Sequence, residues 1–250
     1  MSQVYSLTFA ESIENHKGME IIGDIASEGF SIEECENLAS RYNGECILLN
    51  TDLLDQDPAL LVIFRDGLKT IFDIDKLDLF NEQNALEKDS KCLMYGRVVN
   101  KKARHNLCFA DFEQTPDYEA GKGTVYDFQS QPILSSLRKG LGDKFGPSFE
   151  NLYAEGNYYY DVKSTYIGFH GDTERKKVLC CRLGEDFPIH FQWYYKSEAQ
   201  GEVMSFDLSG GDIYIMSDKA VGHDWKKKNI PTLRHAAGHW NVLKKYSIKK

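Results

Sequence analysis

The chain has 250 residues, of which 42% are hydrophobic and 27% charged, and a net charge of −8. A chain of this length buries a sizeable core, and no apolar run approaches the ~20 residues that a bilayer-spanning helix needs, which excludes a helical membrane protein. The charge is uneven: residues 1–90 sum to −13 and residues 91–250 to +5, a surplus that fits either a polyanion-binding region or an ordinary mixed surface.

The start, Met1-Ser2-Gln3-Val4-Tyr5, has no charged region followed by an apolar core, so no signal peptide is expected. The six cysteines show no Cys-x-x-Cys spacing. They read as reduced thiols of an intracellular protein, cytoplasmic or nuclear.

In residues 1–90, Ser31-Ile32-Glu33-Glu34 is a capping box. Ile32, Cys35, Leu38, Ala39 and Tyr42 follow at helical spacing, with Gly44 expected to end the helix. Cys46 to Leu49 and Leu60 to Phe64 read as strands, and Leu68 to Ile74 as a third after the turn Arg65-Asp66-Gly67. The expectation is a small α+β extension over 1–90, with the polar stretch Asn81 to Lys91 as linker. His16 sits in a polar, turn-like stretch and reads as structural.

From Tyr95 the pattern changes to short strands and turns, interrupted by a helix over Pro132 to Leu141 whose Ile133, Leu134, Leu137 and Leu141 share a face. Strands are expected at Tyr158–Tyr160, Thr165–His170, Val178–Leu183, Ile189–Tyr195, Val203–Leu208, Ile213–Met216, Leu233–Ala237 and Val242–Ile248. The fold class is therefore α+β, mainly β, with residues 91–250 forming a sandwich or barrel.

The chemistry concentrates in Ile167-Gly168-Phe169-His170-Gly171-Asp172-Thr173-Glu174. In an extended chain, positions i and i+2 share a face, so His170 and Asp172 can converge on one metal ion. Two histidines and one carboxylate leave coordination positions open, as in non-haem Fe(II) oxygenases. His223 follows in Ala220-Val221-Gly222-His223-Asp224-Trp225, and Arg234, suited to bidentate carboxylate binding, lies eleven positions further on.

In this order the residues resemble the 2-oxoglutarate/Fe(II)-dependent oxygenases, and within them the AlkB-like branch, over roughly Tyr95 to Trp240. That resemblance implies a double-stranded β-helix (jelly-roll) core. It implies Fe(II) on His170, Asp172 and His223, and 2-oxoglutarate held by Arg234, Asn157 and Tyr159, with O2 as co-substrate. Asn151-Leu152-Tyr153 has the same Asn-x-Tyr form as Asn157-Tyr158-Tyr159, and the latter, nearer His170, is preferred. A second arginine usual in the branch is replaced by Trp240, with His235 and His239 as neighbouring candidates for its role.

The resemblance also implies oxidative demethylation or hydroxylation of alkylated bases in single-stranded nucleic acid, with Glu174 at the base and Phe169, Tyr166 and Trp225 available for stacking. Glu174 reads equally as a partner of Arg175 or Lys176. The basic turns Lys101–Arg104, Arg175–Lys177 and Lys226–Lys228 flank these motifs as a candidate phosphate rim. A hydroxylase of a protein side chain or small metabolite, and a jelly-roll binding module without catalysis, are the alternatives.

Overall fold

The computed structural model describes residues 2–247. In chain order its strands and helices are β1 (Val4–Ala10), β2 (Ser12–Glu14), β3 (Ile21–Gly23), α1 (Ile32–Arg41), β4 (Glu45–Leu48), β5 (Leu60–Phe64), α2 (Gly67–Phe72), α3 (Lys76–Asn84), β6 (Lys91–Met94), β7 (Arg97–Asn100), β8 (His105–Ala110), β9 (Val125–Asp127) and α4 (Pro132–Phe145). They continue as β10 (Tyr153–Tyr159), β11 (Ile167–His170), β12 (Val178–Gly184), β13 (Ile189–Tyr195), β14 (Glu198–Phe206), β15 (Ile213–Met216), α5 (Asp218–Val221), β16 (Thr232–Ala237) and α6 (Trp240–Ser247). The protein is mainly β.

An eight-stranded sheet runs β4-β5-β15-β12-β1-β10-β8-β9, and a four-stranded sheet runs β11-β16-β13-β14. Side chains of both sheets share one apolar core: Phe191, Trp193 and Leu233 of the small sheet meet Leu61, Ile63, Cys180 and Met216 of the large one. The opposite face of the large sheet, with Leu7, Phe9, Cys181 and Leu183, packs on α1, α3 and α4 through Leu38, Leu79 and Leu137. Cys180 and Cys181 thus serve the two faces of one strand, as side-chain alternation requires.

From β10 onward the chain alternates between the sheets. β10, β12 and β15 join the large sheet, while β11, β13, β14 and β16 join the small one. The place between β10 and β12 is filled by β1, which pairs antiparallel with both; Ser6 stands opposite Asn157 on one side and Arg182 on the other. The expected division at residue 90 therefore does not fall at a break in the sheet. β1 lies in its middle, and β4 and β5 extend it beyond β15.

The capping box of α1 forms as read. Ser31 Oγ accepts from the Glu34 amide at 3.1 Å and the Glu34 carboxylate accepts from the Ser31 amide at 2.8 Å. The left-handed residue that ends this helix is Asn43 (φ 53°) rather than Gly44. Gly44 is needed for close approach, since a Cβ there would lie 2.7 Å from the Phe64 ring.

Three local readings are corrected. Leu68 to Ile74 is not a strand but contains α2, because Leu68 and Ile71, three apart, are the buried pair, while Asp66 and Asp73 adopt left-handed conformations at its two ends. Asn81 to Lys91 is not a free linker. It holds the end of α3 and the start of β6, and its polar residues Gln83 and Asp89 are buried. Val242 to Ser247 belongs to α6 rather than a strand, and Ile248 lies outside the described residues.

α3 also solves a problem for α4, whose N-cap residue Gln131 makes no side-chain capping bond. The Glu82 carboxylate accepts instead from the amides of Ile133 (2.7 Å) and Leu134 (3.0 Å), placing a negative charge where the helix dipole favours it. Glu82→Ala should lower unfolding stability by about 1–2 kcal/mol in urea titration, as loss of a side-chain cap does. An unchanged midpoint would remove Glu82 from that role.

Candidate metal centre

β11 and β16 pair antiparallel across an irregular register in which His170 stands opposite His235. The two imidazole centroids are 4.5 Å apart. Asp172 follows β11 in a turn, where its amide donates to the Val221 carbonyl at 3.2 Å. Its Oδ1 then lies 3.4 Å from His170 Nε2 and 3.6 Å from His235 Nε2. The three potential donor atoms all fall within 4.8 Å of one another.

Neighbouring groups fix these donors. His170 Nδ1–H donates to the carbonyls of Gly168 (2.8 Å) and His235 (3.1 Å), which leaves the Nε2 lone pair facing Asp172. A ring nitrogen tied to a backbone carbonyl is the usual support of a metal-binding histidine. His235 Nδ1 is buried without such a partner. Burial pushes His170 down to about 3, with His235 adding to it, so the imidazole is neutral and able to ligate at neutral pH. Burial opposes the charge of Asp172, yet Arg175, His235 and His170 together hold its carboxyl well below the usual carboxylate range.

Gly171, between His170 at the end of β11 and Asp172 in the turn, is required for space. A Cβ there would lie 2.1 Å from the Gly222 carbonyl oxygen and 2.7 Å from Trp225 Cβ. The loop carrying Gly222 and Trp225 therefore packs directly against the backbone between His170 and Asp172.

Behind Asp172, Arg175 is almost wholly enclosed. Its Nη2 donates to Glu155 (2.7 Å) and Glu174 (2.8 Å), and its Nε lies 3.5 Å from Asp172 Oδ2. The triad opens into a cavity of about 290 Å³ between the sheets, whose walls include Ser6, Thr8, Asn157, Tyr159, Tyr214 and Trp225.

No known family profile matches the sequence. It does match the "Uncharacterized protein R156" of Acanthamoeba polyphaga mimivirus, at 44% identity over 248 residues, covering 95% of this chain and 96% of that one. The chain belongs to the family of this mimivirus protein.

In this family member the residues singled out from sequence divide into two groups. His170, Asp172, Asn157, Tyr159, Glu174 and Trp225 all line the cavity. Asn157 Oδ1 accepts from Asn106 (2.7 Å) and from Arg104 Nε, and its amide donates to Glu155 at 3.1 Å. Tyr159 is buried against Phe187. The alternative Tyr153 packs away from the cavity, in the small core with Ile13 and Val125. Glu174 lines the cavity and accepts from Arg175 Nη2 at 2.8 Å, the pairing that its neighbour in the sequence suggested.

The second group lies elsewhere. His223 does not join the triad. It sits after α5, where the left-handed Gly222 (φ 71°) turns the chain, and its Nδ1–H donates to the Arg175 carbonyl at 3.1 Å. It lines a separate depression with Asp57, Lys219 and Lys227. Arg234 precedes His235 on β16 and so points to the opposite face, where its guanidinium stacks 3.7 Å from the Tyr194 ring and 5.1 Å from Trp225. Phe169 and Tyr166 are half-buried outside the cavity lining. Trp240 is substantially exposed and packs by its ring against His190.

Sequence reading gave no part in the site to several residues that line the cavity, Ser6, Thr8, Glu14, His16 and Lys17 among them. Burial, helped by Lys101 and Arg104, lowers His16 to about 4. Only long-range pairing brings residues 6–17 to a site some 160 positions away, and no local pattern announces it.

Among the described residues no helix is long and apolar enough to cross a membrane.

Proposed function

We propose that this protein is an Fe(II)- and 2-oxoglutarate-dependent dioxygenase that acts oxidatively on alkylated bases of single-stranded nucleic acid. One observation carries the reading. Two imidazoles and one carboxylate, from β11, its following turn and β16, converge within 4.8 Å at the wall of a cavity. This donor set suits a divalent transition ion with positions left open for other ligands. The ligand set proposed is His170, Asp172 and His235.

The sheet connectivity supports a jelly-roll core. Seven strands, β10 to β16, distribute between two packed sheets, and β1 supplies the eighth position from the other end of the chain. Such a fold holds ligands between its sheets.

When bound, iron and 2-oxoglutarate supply the oxidant that inserts an oxygen atom of O2 into a substrate C–H bond, releasing succinate and CO2. The chain's own residues ligate, orient and exclude water. Arg175 fixes Asp172 from behind, the Gly168 and His235 carbonyls fix the ring of His170, and Asn157 and Tyr159 present polar atoms to the cosubstrate's place.

The substrate class rests on the cavity rim. Trp225 offers an aromatic face with Lys17 Nζ 5.5 Å and Lys226 Nζ 5.8 Å from its centroid, a combination suited to a stacked base and its phosphate. Glu14 and Glu174 place carboxylates inside, which favour an exocyclic amino group or a cationic methylated base. A hydroxylated N-methyl group on such a base collapses to formaldehyde and the free amine.

The experiment incubates the protein with Fe(II), 2-oxoglutarate, O2 and an N-methylated single-stranded oligonucleotide. Succinate and formaldehyde should form together and be lost in His170→Ala and Asp172→Ala. Undiminished succinate from either variant would sink the metal-centre reading. Succinate without formaldehyde, alongside turnover of a peptide or small metabolite, would keep the reaction class and replace the substrate.

A further inference from the structure

Three ionisable residues that belong to no sequence motif reach the cavity from the amino-terminal hairpin of β2 and β3: Glu14, His16 and Lys17. The hairpin is firmly mounted. Ser12 and Glu14, two apart on β2, share a face, and Ser12 Oγ donates to the Glu174 carbonyl there. Ile13, between them, is fully buried. Asn15 Nδ2 donates to Asp89 at 2.7 Å, and Asn15 Oδ1 accepts from Lys101 Nζ at 2.7 Å. The Glu14 carboxyl is therefore held at the cavity wall rather than carried on a free loop.

Glu14 is half-buried yet has no cation of its own. Oε1 accepts from the Gly18 amide at 2.5 Å, but among the described residues neither oxygen forms an ion pair. Arg175 pairs with Glu155, Glu174 and Asp172 instead, and Lys17 and Lys226 lie over the Trp225 ring. The charged and titratable groups around Glu14 are Glu174 and Arg175 after β11, Glu155 on β10, Lys226 after α5 and Arg104 before β8, besides His16 and Lys17 on its own turn. Burial, with Glu174 and Glu155 adding to it, outweighs the Gly18 amide and Arg175 and pushes Glu14 up to about 7. A carboxyl in this setting holds its proton below neutrality and ionises when a positive charge is placed beside it.

We infer that Glu14 is a specificity-determining residue of this cavity, which selects ligands with a fixed positive charge on a planar head over neutral ligands of similar shape. The inference rests on the alkylated-base reading and deepens it, because a methyl group on ring nitrogen N1 makes adenine cationic and one on its exocyclic nitrogen does not. Glu174 already shares its charge with Arg175, so Glu14 is the carboxyl whose charge the ligand itself must balance. On binding of the cation, Glu14 gives its proton to solvent, and the carboxylate left behind faces the charged ring. A neutral ring provides no such drive and leaves the proton in place.

Calorimetric titration of Mn(II)-loaded protein, with no 2-oxoglutarate present, tests this without turnover. The probes are two trinucleotides whose central adenine carries one methyl group, either on N1 (cationic) or on the exocyclic nitrogen (neutral). At pH 7.5 wild type should bind the cationic trinucleotide about 10-fold more tightly, the scale of one charge pair in a partly buried site. At pH 6, where Glu14 must first lose its proton, that affinity should be about 8-fold lower, while the affinity for the neutral isomer stays level. Titrations at pH 6 in buffers of different ionisation enthalpy should show close to one proton released per cationic trinucleotide bound. Glu14→Gln should abolish the release and most of the preference while keeping Mn(II) affinity and the circular-dichroism spectrum. No proton release by wild type, or release that survives in Glu14→Gln, overturns the role of Glu14 and leaves the dioxygenase reading standing. A wild-type protein that binds Mn(II) but neither trinucleotide overturns both this role and the nucleic-acid substrate.

Discussion

His235→Ala should abolish metal binding and turnover, while His223→Ala should leave the metal affinity near wild type. His235 places Nε2 at 3.6 Å from Asp172 Oδ1, opposite His170 across the β11–β16 pairing. His223 directs Nδ1 at the Arg175 carbonyl and lines a different depression. Losing a partner that merely supports a ligand weakens metal binding by about 10- to 100-fold, so removing a ligand itself should exceed the upper end of that range. Titration with Co(II), followed by its visible absorption, reads the effect directly. A His235→Ala variant that binds Co(II) as wild type does, or a His223→Ala variant that fails to, would reverse the assignment.

The error over His223 has a physical origin. His-x-Asp is a local pattern, because adjacent backbone geometry alone puts the two side chains together, and His170 and Asp172 were legible for that reason. The third member of the triad is fixed by strand pairing. His235 joins the triad because β16 lies beside β11, and spacing along the chain carries no information on that. Alternation along Leu233-Arg234-His235 offered a partial signal. Leu233 is in the inter-sheet core, so His235, two positions on, shares its face and Arg234 does not.

The same distinction separates what was legible of the fold from what was not. Periodicity found β5, β13 and β15 at their observed ends and α4 within a few residues, because each buries a regular pattern of apolar side chains. It failed for β1. Val4-Tyr5-Ser6-Leu7-Thr8-Phe9-Ala10 alternates as a strand should, but its position between β10 and β12 depends on closing a loop of more than a hundred residues. The acidic balance of residues 1–90 invited a separate extension. In the structure that charge resides on the exposed faces of elements whose apolar sides join the common core.

Arg175→Met should be the most destabilising of the substitutions considered, by about 3–5 kcal/mol, the cost of breaking a buried ion pair from one side. Arg175 is 4% exposed, and its Nη2 serves both Glu155 and Glu174. Methionine fills similar volume, so the loss reports charge rather than a void. Arg175→Lys should fall between, because a single ammonium cannot reproduce the fork.

The loss should also grow with pH. Burial already pushes Glu14 up to about 7, and Glu174 and Glu155 raise it while Arg175 opposes them. A carboxyl whose folded pKa exceeds its unfolded value contributes stability below the unfolded pKa, and that contribution disappears as pH rises through the folded one. Removing Arg175 takes away a cation that opposes the rise of Glu14, so urea unfolding should show a larger deficit at pH 8 than at pH 5. Equal deficits at the two pH values would mean that Arg175 acts through packing alone, and that the carboxylates it touches are stabilised by other contacts.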